Sequence, residues 1–506
     1  MFPSNDTSTT ATDDTGLLAP TPIPTHSDRP LRRAPTTSPP PAMPSSASST
    51  LLAVAMVSLS LAASAAPAPP DDARGTTVRA GFYLAAAARL RPLAALDASH
   101  YTHLYYSALA VHPTTRKLVL PTDPDQAGLL AAFSPALKSR NRNLRTLLSV
   151  GTAGVAWAAA GSQADPAFAA MAADPASRAA FGAAAVALAR DSGFDGLDVA
   201  WRFPASAVEM ADLGFLVSEW RAAAPPGFLL TATAYFSSHV FAAPLPSVDY
   251  PSEALARCLD WVNVAAFGLR PPGGANATTA FDAPLYDRAS HFSASYGVVS
   301  WIDAGLPAGK VVMGIPLYGR SWFLRNKANA GVGAPVVAAG PKQRGSNATG
   351  VMSYAEVQRL AAAAAGGGGR RTATTAYDNA SVASYLSVGD VWVAFDGAAV
   401  VAEKLAFAAR RGLLGYFLWP VNYDDANLTL SRTASEVWMQ NEMSSDWKNG
   451  TGVRQTQGPV RLPPALRSPA GTPGPVPAPT SGSGSWLPWA KLDALLHLGL
   501  LCLVWC

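Results

Sequence analysis

The chain has 506 residues, 38 Lys and Arg against 34 Asp and Glu, a formal net charge of +4, and 14% charged residues. An apolar fraction of 49% excludes disorder throughout. So small a net charge, without a Lys/Arg block, gives nucleic acid no electrostatic footprint. Three cysteines, Cys258, Cys502 and Cys506, are too few for a disulfide framework or a zinc site, and no metal or cofactor is expected.

Residues 1–50 are rich in Ser, Thr and Pro without an apolar period, so no core is expected there. Residues 51–62 form a compact apolar run, followed by Ala63-Ser64-Ala65, the small-x-small pattern of a signal-peptidase site. Segment 1–66 therefore reads as an N-terminal extension with a signal peptide, translation starting at Met1 or at Met43. Five Asn-x-Ser/Thr sequons, at Asn276, Asn347, Asn379, Asn427 and Asn449, fit a glycoprotein on the secretory route. The expected location is extracellular or at the cell surface.

Segment 76–440 carries short β-type runs alternating with helical stretches. Strands are expected at 78–83, 103–108, 144–150, 193–201, 228–234, 261–267, 310–316 and 412–418, with Ala-rich helices such as 165–191 and 206–224. Eight apolar strands joined by crossovers predict an α/β fold, a (β/α)₈ TIM barrel with functional residues at the strand C-termini. A barrel needs about 250 residues, and the surplus lies mostly between the seventh strand and helix 7. Strand-like pieces at 351–354 and 391–395 make that gap, residues 323–395, a small inserted α+β subdomain. Beyond the barrel, 455–485 is a Pro/Gly/Ser-rich linker. The hydrophobic tail 486–506 reads as a GPI-attachment signal or as a truncated transmembrane helix, either giving membrane attachment.

Residues 194–204 read FDGLDVAWRFP. This stretch resembles the fourth-strand signature of glycoside hydrolase family 18, and within it the plant class V chitinases, a signature that runs Asp-Gly-x-Asp-x-Asp-x-Glu. Asp195, Gly196 and Asp198 match it; Ala200 stands in place of the third aspartate and Arg202 in place of the catalytic glutamate. Further blocks follow in family order: Ala80 to Tyr83, Thr102 to Tyr106, Leu148 to Gly151, Ala283 to Asp287, Trp301 to Leu306, Gly314 to Arg320 and Gly415 to Trp419. On the sixth strand the family's Met-x-Tyr-Asp is replaced by Ala265-Ala266-Phe267-Gly268.

The resemblance implies a mechanism in which the glutamate protonates the glycosidic oxygen and the substrate's own acetamido carbonyl attacks the anomeric carbon. Arginine does not release a proton at working pH, and alanine offers neither charge nor hydrogen bond. Loss of a general acid costs about 10²–10⁴-fold. No catalytic set is intact, Glu209 and Glu219 on the next helix offer no rescue, and chitinase activity is expected to be lost. Asp195 and Asp198 are expected to persist as buried structural carboxylates. Trp419 matches the tryptophan that floors the family's central sugar subsite; Tyr83, Tyr106, Tyr235, Trp322 and Trp392 are further candidates for sugar contact. The expected protein is a secreted, chitinase-like pseudoenzyme of monomeric state that binds chitin, chito-oligosaccharide or another N-acetylglucosamine glycan. The competing readings are an active chitinase with an atypical acid and a glycosidase inhibitor or receptor ectodomain.

Overall fold

A computed structural model describes residues 77–151, 165–241, 247–270, 277–366 and 373–443. The N-terminal extension with its signal peptide, the linker, the hydrophobic tail, Thr152, Asn276, Asn449, Cys502 and Cys506 lie outside the described residues.

Eight parallel strands close into a barrel: β1 (Val78–Leu84), β2 (His103–Leu109), β3 (Arg145–Gly151), β4 (Gly196–Ala200), β5 (Leu229–Ala234), β6 (Trp261–Val264), β7 (Val311–Pro316) and β8 (Gly415–Trp419). Each pairs with the next, and β8 pairs back onto β1, with Val78 opposite Gly415 and Gly81 opposite Leu418. Nearly every strand residue is buried, as a sheet sandwiched between its own filled interior and an outer helix layer requires. All eight strands fall where the sequence places them. The sixth stops at Val264, short of residue 267, because the amides of Ala266 and Phe267 turn to the carbonyls of Val264 and Ala265, 2.8 Å away in each case.

The helices begin on readable caps. Asp123 accepts from the Gln126 amide at 3.0 Å and starts α1 (Pro124–Lys138), whose first residue is proline. The expected helix over 165–191 is two, α2 (Pro166–Ala173) and α3 (Pro175–Asp191). Pro175 has no amide hydrogen to continue α2, and Asp174 turns extended and caps α3 through Ser177. Ser206 caps α4 (Ala207–Ala223).

Between β7 and helix Ala398–Arg410 lies an antiparallel sheet with helix Tyr354–Gly366 beside it. In spatial order its strands are Val336–Ala339, Tyr318–Leu324, Val391–Phe395, Ala383–Val388 and Ala373–Asp378; Val351–Ser353 also pairs with Tyr318–Leu324. The sheet begins at Tyr318, upstream of the expected boundary at 323, because the chain passes from β7 into it with only Leu317 between. Trp322, Trp392, Phe281, Leu324 and Val336 form its own small core.

A buried set of charges joins the sheet to the barrel. Asp282, from the segment after β6, accepts from Tyr318 Oη at 3.1 Å and Arg320 Nε at 3.3 Å. Lys404 on helix Ala398–Arg410 donates to Asp396 and, at 2.6 Å, to the Ala283 carbonyl. Burial pushes the Asp396 carboxyl up while Lys404 opposes it. Breaking one partner of such a pair strands the other without water, at a cost of about 3–5 kcal/mol. Lys404→Met is therefore expected to lower the unfolding free energy measured by urea titration by that amount, and with it the midpoint, and Lys404→Met with Asp396→Leu to recover most of it. Equal midpoints for the single variant and the parent would show that this clamp carries no stability.

Candidate functional site

On β4 alternate side chains divide between the barrel interior and the helix layer. Trp201, just past the strand, faces outward and stacks on Phe168 of α2 at 5.0 Å. Asp198 faces inward, fully buried, and four donors from three strands surround it. Its Oδ1 accepts from Thr231 Oγ1 at 2.7 Å and Asn263 Nδ2 at 3.2 Å; its Oδ2 accepts from Ser149 and Thr233 hydroxyls, each at 2.8 Å. Asn263 and Trp261 in turn donate to Tyr105 Oη at 3.2 and 3.1 Å. Desolvation pushes the Asp198 carboxyl up and the four hydrogen bonds pull it back; burial prevails.

Asp195 does not share that environment, contrary to the expectation for both aspartates. It precedes β4, at the opposite end of the barrel, and its side chain is partly exposed. It accepts from Lys138 at 2.7 Å, Arg145 at 3.2 Å and the Thr146 amide at 2.7 Å. It ties β4 to β3 and α1, far from the strand C-termini.

At the mouth, Ala200 sits one step above Asp198, and its carbonyl lies 2.1 Å from where a side chain on Gly151 would begin. Arg202 follows past the strand end. Desolvation pushes its guanidinium down to about 10, against the opposing influence of Tyr318 and Asp165. At neutral pH it stays protonated and does not release that proton to a leaving group. Phe267 packs edge-on to Phe417 and Tyr318, with ring centroids 5.8 and 6.1 Å apart. Gly268 has φ +72°, a left-handed conformation natural for glycine. Glu209 is held by the Ala205 amide at 2.6 Å and Glu219 by Arg178 at 2.8 Å, both on the helix layer. The cavity beside Asp282 and Asp396 measures about 10 Å³, room for a water at most.

The aromatic candidates divide. Trp419 ends β8 inside the mouth, 5.3 Å from Phe82, which stacks on Tyr105 at 4.1 Å. Tyr235 follows β5 and meets Phe203 edge-on at 4.9 Å. Both rings are almost fully covered, Trp419 to within 2% of its surface. Tyr83 and Tyr106 are corrected: both pack on Phe133 of α1, because Phe82 and Tyr105 take the inward phase and leave their neighbours outward. Trp322 and Trp392 are also corrected, lying 5.5 Å apart inside the inserted sheet's core. Sequence reading missed the Asp165 charge near Arg202 and the Asp282–Arg320 pair; the Asp-Pro cap at 165–166 was the available signal for the first. A separate open depression of about 570 Å³ lies against helix Ala294–Asp303, lined by His239, Asp249, Tyr296 and Ser300 among others.

The sequence profile of "Glycosyl hydrolases family 18" matches residues 78–424. The chain belongs to that family. It is 34% identical over 373 residues to a class V chitinase of Arabidopsis thaliana, covering 72% of this chain and 90% of that one. A family 18 chitinase from Cycas revoluta, solved in complex with (GlcNAc)3, superposes with a TM-score of 0.63 at 34% identity, over 71% of this chain and 99% of the other. The chitinase-like agglutinin of Robinia pseudoacacia superposes with a TM-score of 0.60 at 29% identity, with the same coverage. Within this family 18 barrel, Asp198 makes a pH-dependent contribution of definite sign. An unfolded aspartate titrates near ~3.9, and the folded carboxyl holds its proton more tightly. Stability from this group is thus fullest below that pH and declines as pH rises through the folded value. Thermal melts from pH 4 to 8 should show the parent losing ground to Asp198→Asn as pH rises. A difference that grows in the parent's favour instead would mean the four donors outweigh burial.

Proposed function

We propose that this family 18 protein is a secreted, chitinase-like barrel without hydrolytic activity that binds N-acetylglucosamine oligosaccharides as a monomer. The observation that carries the reading is chemical. No group at positions 200, 202, 267 or 268 releases a proton at neutral pH or offers a carboxylate to orient an acetamido group. The neighbouring acids, Asp165, Glu209, Glu219 and Asp282, each hold a partner of their own. Binding is supported by Trp419 at the end of β8, by the sugar-complexed Cycas relative and by the agglutinin built on the same fold. Because Trp419 is covered, a sugar reaches it only after neighbouring groups move, and the measured affinity is reduced by the fraction of molecules that are open.

The secretory part of the reading rests on the apolar run at 51–62, the Ala63-Ser64-Ala65 site and the sequons. Asn347, Asn379 and Asn427 all lie exposed outside helices and strands. Attachment at the cell surface would come through the hydrophobic tail 486–506, as a GPI signal or a membrane helix.

Purified protein incubated with N-acetylglucosamine tetramer and pentamer is expected to release no shorter products. Calorimetric titration with the same oligomers should give saturable heat, weakened about tenfold by Trp419→Phe, roughly 1.4 kcal/mol. Ala200→Asp, Arg202→Glu, Phe267→Tyr and Gly268→Asp made together should restore measurable cleavage. Turnover by the parent protein would overturn the inactive reading. Absence of heat at millimolar oligomer would remove glycan binding and favour the inhibitor or receptor-ectodomain reading.

A further inference from the structure

The inserted sheet has two edges, and they differ. At Val336–Ala339 the edge strand is four residues long, and its pairing slips register between Phe323 and Leu324. A short, bulged strand is a poor template for another chain. At the other edge, Ala373–Asp378 runs six residues in unbroken register with Ala383–Val388. Its side chains are exposed or half-exposed along its whole length, Tyr377 to 40%. Thr374, Thr375 and Tyr377 favour extended backbone, and the strand contains no Lys and no Pro. Among the described residues no second strand pairs with this edge, which is roughly 20 Å long at about 3.4 Å per residue and so offers amides and carbonyls to an extended segment.

The next residue is Asn379. It opens the four-residue turn between the two strands, and it is exposed. With Ala380 and Ser381 it forms a sequon. The turn is fixed rather than loose: the Ser381 amide donates to Asp378 Oδ1 at 2.6 Å, and the Ser381 carbonyl accepts from Leu285 at 2.8 Å. A group attached at Asn379 is therefore held at the end of the open strand.

We infer that Asn379 carries an N-linked glycan whose role is to shield the open edge Ala373–Asp378 from pairing with other chains. The inference rests on the secretory reading given above. A hydrated, bulky glycan at the strand's end blocks lateral approach by steric exclusion, doing what a lysine or proline does on other edges.

The test uses the full chain expressed in plant cells. Glycopeptide mass spectrometry is expected to find glycan on Asn379. Asn379→Gln and Ser381→Ala, two routes to removing one sequon, should both shift the protein from monomer to concentration-dependent oligomers in size-exclusion chromatography with light scattering. Asn347→Gln and Asn427→Gln should leave it monodisperse. Thr375→Lys added to Asn379→Gln should restore the monomer by charging the edge. Glycan on Asn347 and Asn427 but not Asn379 overturns the inference alone, as do two sequon variants that stay monodisperse. No glycan on any of the three overturns the secretory reading itself.

Discussion

The barrel is organised around one buried carboxylate. Asp198 draws hydroxyl or amide donors from β3, β5 and β6, so four strands are fixed in register by a single side chain. Burying it is affordable only because each lone-pair direction is met; a missing donor would leave a polar group stranded at about 1–3 kcal/mol. The second layer, Asn263 with Tyr105 and Trp261, carries the same network across to β2. Asp198 lies within the barrel, where loss endangers folding. Positions 200, 202 and 268 lie at or beyond the strand ends, where change alters chemistry and leaves the scaffold intact.

The mouth above Asp198 is an aromatic assembly. Phe82, Phe267, Phe417, Tyr318 and Trp419 pack ring to ring, and Phe267 is followed by a left-handed glycine, Gly268. Tyr318 comes from the first strand of the inserted sheet, so the insertion forms part of the mouth as well as a separate small core. The Asp282–Arg320 and Asp396–Lys404 pairs keep that strand seated against the barrel. Scaffold, mouth and insertion are thus mechanically one structure.

Much of this was legible from the amino acids. Strand positions followed from apolar runs, and the helix beginning near Ser206 from its Ala-rich stretch. The split at Pro175 was missed because an Ala-rich run on both sides masked a breaker whose effect is local and steric. The tyrosines at 83 and 106 were misplaced for another reason. Each stands next to an aromatic or apolar residue of equal hydrophobicity, so alternation was invisible and the inward phase undetermined.

The absence of a carboxyl or hydroxyl at positions 200, 202, 267 and 268 belongs to the sequence alone, since no fold gives one to arginine, alanine, phenylalanine or glycine. The barrel also belongs to it, because eight apolar runs at crossover spacing admit few other closures. Tertiary structure decided which aromatic rings face inward, that Trp419 lies covered, and that Asp282 meets Arg320. These depend on contacts between residues far apart in the chain, and such contacts exist only after the strands have closed and fixed their stagger.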